Sequence, residues 1–213
     1  MAPRYYALGD SMSIDDYAGG PGLGAASLLA DDLGIELMLL ARDGATSDDV
    51  LRRQLGQVGA RPALVTVTMG GNDLLTAMIE ASEKLPAAVE TVAANYDVAL
   101  TTLAATGARI VVSTVYDPTD GTGDLSWVGL PTVEGGLDLL EALNAEIRAA
   151  AARHGAALAD LHAAFLGHGA QAGDITRPDS HPENRELWLC GAIEPNAWGA
   201  EAIRDTWRAA LRS

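Results

Sequence analysis

The chain has 213 residues, of which 48% are hydrophobic, and it carries 29 Asp and Glu against 14 Lys and Arg. The formal net charge of −15 argues against nucleic-acid binding and against docking on an anionic membrane, because both need a basic surface. The length and apolar content fit one domain, residues 1–213, whose core needs no disulfide or structural metal.

The sequence offers no cysteine pair for a disulfide and no recognisable targeting or membrane-spanning segment. The one cysteine, Cys190, has no partner for an intramolecular disulfide and forms no zinc cluster. The N-terminal segment lacks the apolar run of a signal peptide, and no stretch approaches the roughly 20 apolar residues that cross a bilayer. We therefore expect a cytoplasmic protein without membrane insertion.

Short apolar runs alternate with longer amphipathic ones along the chain. Five runs have the character of strands, at residues 5–8, 35–41, 64–69, 109–115 and 156–161. Helical spacing predicts helices at residues 22–33, 46–58, 85–106, 137–153 and 197–211. Residues 117–132 and 165–195 are predicted to be irregular. This alternation predicts a parallel sheet with right-handed crossovers and helices on both faces.

The loops that follow the first three strands carry candidate catalytic residues. Ligands of parallel α/β sheets bind beyond the carboxyl ends of the strands. Ser11 follows the first strand, Gly44 the second and Asn72 the third. We predict that Ser11 is a nucleophile whose oxyanion donors are its own N–H, the N–H of Gly44 and the side-chain amide of Asn72.

These loops resemble the sequence blocks of the SGNH hydrolases, also called the GDSL esterase/lipase family. Residues 9–11 (Gly-Asp-Ser) match the nucleophile block, Gly44 the glycine block and residues 70–73 (Gly-Gly-Asn-Asp) the asparagine block, while residues 194–200 are similar to the last block. The resemblance implies a flavodoxin-like three-layer α/β/α sandwich with a five-stranded parallel sheet in the order 2-1-3-4-5. It also implies hydrolysis of a small-molecule ester through an acyl-serine intermediate. We expect no cofactor and no metal.

The last block departs from the family pattern. The family has Asp-x-x-His-Pro there, with the histidine as general base and the aspartate orienting it, whereas residues 191–195 read Gly-Ala-Ile-Glu-Pro. A base is still needed, because a serine hydroxyl is a poor nucleophile at neutral pH. Our leading hypothesis is a rearranged triad of Ser11, His168 and Glu194, in which the carboxylate orients the imidazole.

The four histidines of the chain supply the candidates for the base. His168 is favoured because glycines on both sides let a loop lay the imidazole across the serine. His181, in an Asp-Ser-His-Pro sequence, and His162, just past the fifth strand, are the alternative bases, whereas His154 is expected at a solvated helix end. A Glu194 base and an inactive protein also stay open.

Two other functions compete with a serine esterase. The missing Asp-x-x-His allows a non-catalytic module on the same fold that binds a small molecule or a carbohydrate. A metal-dependent phosphoesterase is less favoured, because the histidine and aspartate ligands that it needs do not follow the other strands. Labelling of Ser11 by a fluorophosphonate distinguishes an activated nucleophile from a binding module.

Overall fold

A five-stranded parallel sheet forms the centre of the molecule. The computed structural model describes residues 3–177, 180–191 and 193–212. The strands of the sheet are β1 (Arg4–Leu8), β2 (Glu36–Leu39), β3 (Leu64–Val67), β4 (Arg109–Ser113) and β5 (Ala157–Ala159). They lie in the order β2-β1-β3-β4-β5, and each neighbouring pair is parallel, which confirms the predicted order.

Helices follow the strands along the chain. They are α1 (Ala25–Leu33), α2 (Ser47–Asp49), α3 (Gly71–Glu80), α4 (Leu85–Ala104), α5 (Gly136–His154), α6 (Leu161–Phe165) and α7 (Ala197–Ala210). None of the helices in the described ranges is long and apolar enough to cross a membrane.

Three segments differ from the sequence prediction. The helix expected at residues 46–58 is one α-helical turn, α2, that continues as a π-helical stretch and a 3-10 turn. The stretch expected to be irregular, residues 165–195, follows the short helix α6 and contains an antiparallel pair of short strands, β6 (Leu189–Cys190) and β7 (Glu194–Pro195). The run at 35–41 forms only the four residues of β2, which are partly exposed because this strand lies at an edge of the sheet.

Side chains of alternating strand positions build two cores, one on each face of the sheet. Tyr5 and Ala7 of β1 face the core that contains α1, α6 and α7, whereas Tyr6 and Leu8 face the core that contains α3, α4 and α5. Successive residues of a strand point to opposite faces, so each strand contributes to both cores. The result is the three-layer α/β/α sandwich that the resemblance implied.

Buried side-chain amides fix two of the loops at the carboxyl edge of the sheet. Gln54 accepts from the N–H of Gly9 at 2.7 Å and donates to the carbonyl of the same residue at 2.9 Å. Asn144 of α5 makes the same pair of bonds to the N–H and the carbonyl of Val115, both at 2.8 Å. Each amide bonds to both the N–H and the carbonyl of one loop residue, and it thereby holds a loop beside the candidate site.

Candidate active site

Ser11 begins a one-turn 3-10 helix (Ser11–Ser13) directly after β1. Gly9 makes the turn that leads into it, with a φ of +126°, and a Cβ there would come within 1.9 Å of the Thr68 carbonyl oxygen. Only glycine combines that dihedral angle with such a close approach. Asp10, which is 2% exposed, caps the turn with its carboxylate, and Ser11 itself is half-buried.

Asn72, near the start of α3, reaches across to the loop that contains Gly44. Its side-chain amide donates to the carbonyl of Ala45 at 3.1 Å. An amide nitrogen carries two N–H groups, so the second can serve a ligand. Gly44 lies in an exposed turn with a φ of +66°, one residue before that carbonyl, and it is not part of the cavity wall that Asn72 lines.

A second contact joins the same two loops. The Asp73 carboxylate accepts from the N–H of Ser47 at 2.9 Å and from its hydroxyl at 2.6 Å. Burial raises the pKa of Asp73, although these hydrogen bonds act in the opposite direction. The loops after β2 and β3 are therefore linked, and Asn72 is held in a fixed position.

A cavity of about 120 Å³ opens beside Ser11. Asp10, Ser11 and Asn72 line its polar end. Most of the remaining wall is apolar and comes from α3, from α5 and from the segment between β4 and α5, with Leu74, Leu75, Met78, Val133, Leu137 and Leu140 among its members. The sequence analysis did not predict this cavity, although the apolar residues of α3 could have indicated an apolar wall beside Asn72.

The strand β7, which begins with Glu194, packs against the 3-10 turn that begins with Ser11. Burial raises the pKa of Glu194 from its ordinary 4.5 to about 7, hydrogen bonding with Ser11 opposes the shift, and the nearby carboxylates of Asp43 and Asp10 add to it. Its Oε2 atom is buried and meets no hydrogen-bond donor in the described part of the chain. The structure thus brings together two members of the predicted triad, Ser11 and Glu194.

Asp10, which lines the cavity, is the second buried carboxyl group beside Ser11. Burial raises its pKa to about 6, and hydrogen bonds from Thr68 and from the N–H of Met12 act against that shift. Two carboxyl groups with raised pKa values therefore flank the serine.

His168, the predicted base, does not line the cavity that opens beside Ser11. Its imidazole stacks on Trp188, with ring centroids 3.5 Å apart and planes within 4°, and its Nδ1 atom lies 2.7 Å from the carbonyl oxygen of Glu186. Trp188 in turn contacts Phe165, and Phe165 stacks on Tyr116, which is the first ring of this series to line the cavity. Three aromatic rings thus separate the imidazole from the site.

The other histidines also lie off the cavity wall. His181 is exposed and its ring packs against Gly19, while Asp179 of the same Asp-Ser-His-Pro sequence lies outside the described residues. His162 lies in α6, and His154 ends α5. None of the four histidines, all within the described ranges, lines the cavity beside the serine.

The described side chains give the metal-dependent phosphoesterase alternative no support. Such a site needs several ligands from His, Cys, Asp or Glu that converge on one point. Within residues 3–177, 180–191 and 193–212, no group of three or more of these residues is placed to hold a metal ion.

Residues 7–202 match the GDSL-like lipase/acylhydrolase family. The chain belongs to this family. That membership confirms the resemblance to the family and makes the protein an ester-hydrolysing enzyme. Among curated proteins no sequence matches the chain.

Solved structures similar to this chain include three hydrolases. Phospholipase A1 from Streptomyces albidoflavus NA297 is 24% identical, with a TM-score of 0.75 over 99% of this chain and 100% of that one. The extracellular lipase from Streptomyces rimosus is 23% identical, with a TM-score of 0.71 over 98% and 100%. The psychrotrophic esterase EstA from Pseudoalteromonas sp. is 19% identical, with a TM-score of 0.62 over 98% and 96%. At these identities the likeness establishes the fold.

Proposed function

We propose that this protein is a serine esterase that cleaves carboxylic esters with an apolar acyl chain through an acyl-Ser11 intermediate. One observation carries the proposal: Ser11 lies at the polar end of an apolar cavity, against the carboxyl group of Glu194 and with Asn72 on the same wall. The acyl chain lies between α3 and α5 in this proposal, and the ester carbonyl lies at the serine.

Backbone and side-chain donors support the proposed oxyanion hole. The N–H of Ser11 is at the first position of its 3-10 turn, where no intrahelical acceptor exists. Asn72 donates one N–H to the Ala45 carbonyl, so its second N–H remains for the substrate oxygen. Gly44, the third proposed donor, directly precedes Ala45 in the same loop. Donors of this kind stabilise the negative charge that develops on the carbonyl oxygen during acyl transfer.

The proposal retains two members of the Ser11–His168–Glu194 hypothesis. The contact between Ser11 and Glu194 supports their part in the chemistry. The stacking of His168 on Trp188, away from the cavity, gives no support to a histidine between them.

A fluorophosphonate probe and p-nitrophenyl esters test this function. We expect the wild-type protein to take the probe on Ser11 and to hydrolyse the esters, and we expect Ser11→Ala to lose both activities. Ser82→Ala is the matched control, because Ser82 is exposed and lies outside the cavity. A folded wild-type protein without label or hydrolysis supports the binding module instead.

The same assay tests the acyl assignment. Because the cavity wall is mostly apolar, we expect a higher kcat/KM for p-nitrophenyl octanoate than for the acetate. An equal or higher value for the acetate contradicts an acyl chain in this cavity while leaving Ser11 as the nucleophile.

A further inference from the structure

The strand β7, which begins with Glu194, packs against the 3-10 turn that begins with Ser11, so the Glu194 carboxyl group lies on the side of the serine where an ester hydrolase needs a proton acceptor. We propose that Glu194 is the general base for Ser11, so that the enzyme operates with a serine–glutamate pair and without a histidine. The inference rests on the proposed function, since it requires Ser11 as the nucleophile. Neither Glu194 nor any of the four histidines, all of them in the described ranges, lines the cavity itself; the hydrogen bonding with Ser11 is what distinguishes Glu194.

Contacts on both sides fix the backbone that carries the carboxyl group. Glu194 pairs with Cys190 across the β6–β7 ladder. Before it in the chain, the hydroxyl of Tyr116 donates to the carbonyl of Ile193 at 2.6 Å. After it, the buried side chain of Asn196 caps α7 and donates to two carbonyls of the 187–189 segment. A base held in this way keeps its position relative to the nucleophile during the reaction.

The surroundings of Glu194 are those of a reactive group and not of a structural ion pair. Buried structural carboxylates are normally paired or hydrogen-bonded, whereas Oε2 of Glu194 meets no donor among the described residues. In the described part of the chain, the titratable groups that act on or pair with Glu194 are acidic or neutral: Asp10, Asp43, Tyr17, Tyr116 and Cys190. Such an environment keeps the pKa of Glu194 close to neutrality, where a base accepts and returns a proton readily.

A carboxylate base also accounts for a second departure from the family pattern. The family has an aspartate three residues before its histidine, to hold the imidazole in one tautomer and orientation. This chain has Gly191 at that position. A carboxylate has two equivalent oxygens and no tautomer to select, so the replacement of the histidine removes the need for the aspartate.

The proposed reaction balances without any further group. Glu194 takes the hydroxyl proton as the Ser11 oxygen bonds to the ester carbonyl carbon, and the carbonyl electron pair moves to the oxyanion. The tetrahedral intermediate then expels the alcohol, which receives the proton from Glu194 and leaves acyl-Ser11. A water molecule next gives a proton to Glu194 as the water oxygen attacks the acyl carbon. The bond to the serine oxygen breaks, the proton returns to Ser11, and the free acid leaves.

Substitutions at position 194 and at the histidines test the base. We expect Glu194→Gln to lower kcat for p-nitrophenyl esters about 10²–10⁴-fold, the usual contribution of a general base, and to slow fluorophosphonate labelling in parallel. Glu194→His, which restores an imidazole at this position, should recover part of the loss. Glu186→Gln is the matched control, because it makes the same chemical change on an exposed carboxylate.

The pH profile of kcat/KM adds a readout that would not depend on Glu194 if its role were only structural. In the wild type, kcat/KM should fall as the pH drops through about 7, because protonated Glu194 cannot accept a proton. That midpoint should move little with temperature, since carboxyl ionisation absorbs little heat, whereas an imidazole midpoint shifts clearly.

The outcomes separate this inference from the proposed function. Hydrolysis that survives Glu194→Gln but is lost in His168→Ala, His181→Ala or His162→Ala overturns the glutamate base and leaves Ser11 as the nucleophile. A midpoint of the wild-type pH profile that shifts strongly with temperature likewise overturns the glutamate base and leaves Ser11 as the nucleophile. A wild-type protein that neither hydrolyses esters nor takes the probe overturns both the function and the base.

Discussion

The side-chain amide of Asn72 combines a structural and a chemical task. One N–H donates to the Ala45 carbonyl at 3.1 Å, which fixes the amide relative to the loop after β2. The other is available to an oxygen at the polar end of the cavity. Preorganised donors cost no reorganisation when charge develops, so a fixed amide stabilises the oxyanion better than a mobile one.

Replacement of Asn72 by alanine removes that donor. We expect kcat for p-nitrophenyl esters to fall about 10²–10³-fold, the usual effect of one lost oxyanion donor, with little change in KM. Asn95→Ala is the control, because the side-chain amide of Asn95 likewise reaches the segment after β2, where it donates to the Ser47 hydroxyl at 2.8 Å, but it does not line the cavity. Similar losses of kcat in both variants would assign Asn72 a purely structural role.

At the scale of secondary-structure elements, the junction between β7 and α7 places the proposed base. Asn196 is fully buried, and its Oδ1 accepts from the N–H groups of Trp198 and Gly199, which caps α7. Its Nδ2 donates to the carbonyls of Leu187 at 2.7 Å and Leu189 at 3.2 Å. One side chain therefore joins the closing helix to the β6–β7 pair that holds Glu194.

Truncation of Asn196 should loosen both elements. Asn196→Ala loses a helix cap and leaves two carbonyls without this donor, so we expect the free energy of unfolding to fall by on the order of 3 kcal/mol. Thr46→Ala removes only the cap of α2 and should cost about 1 kcal/mol. Urea denaturation measures both values, and an equal cost would show that the bonds to the β6 segment add nothing.

At the scale of the whole molecule, buried carboxyl groups make stability depend on pH. Burial raises the folded-state pKa of Asp10 to about 6 and of Glu194 to about 7, and it also raises that of Asp73. A group with a raised folded pKa binds its proton more tightly in the folded state. Its contribution to stability is therefore complete below the unfolded pKa of about 4 and is lost as the pH rises to about 7.

Glu194→Gln should remove one of these contributions. At about pH 8 we expect the variant to be more stable than the wild type by on the order of 1–3 kcal/mol, because it buries no ionised carboxylate. At about pH 4 the free energies of unfolding of the variant and the wild type should be similar, since Glu194 is then protonated in the folded wild type. Urea denaturation at both pH values tests this, with Glu186→Gln as the exposed control; a variant less stable than the wild type at about pH 8 contradicts it.

The sequence by itself determined the sheet-and-helix alternation and the three loops of the candidate site. Strand and helix patterns, glycine turns and caps depend on neighbouring residues, so they can be recognised without a structure. The loops that hold Ser11, Gly44 and Asn72 followed from this alternation, because parallel strands end at one edge of a sheet. The strand order came from the resemblance to the family and not from periodicity.

Only the tertiary structure decided which groups stand beside the serine. The contact of Ser11 with Glu194, the stacking of His168 on Trp188 and the apolar wall between α3 and α5 join residues far apart in the chain. The segment from 165 to 195 has no periodic pattern, and its path is set by packing and by buried polar contacts such as those of Asn196. Such contacts cannot be predicted from the local sequence, because their energy depends on which distant side chains pack together in the folded protein.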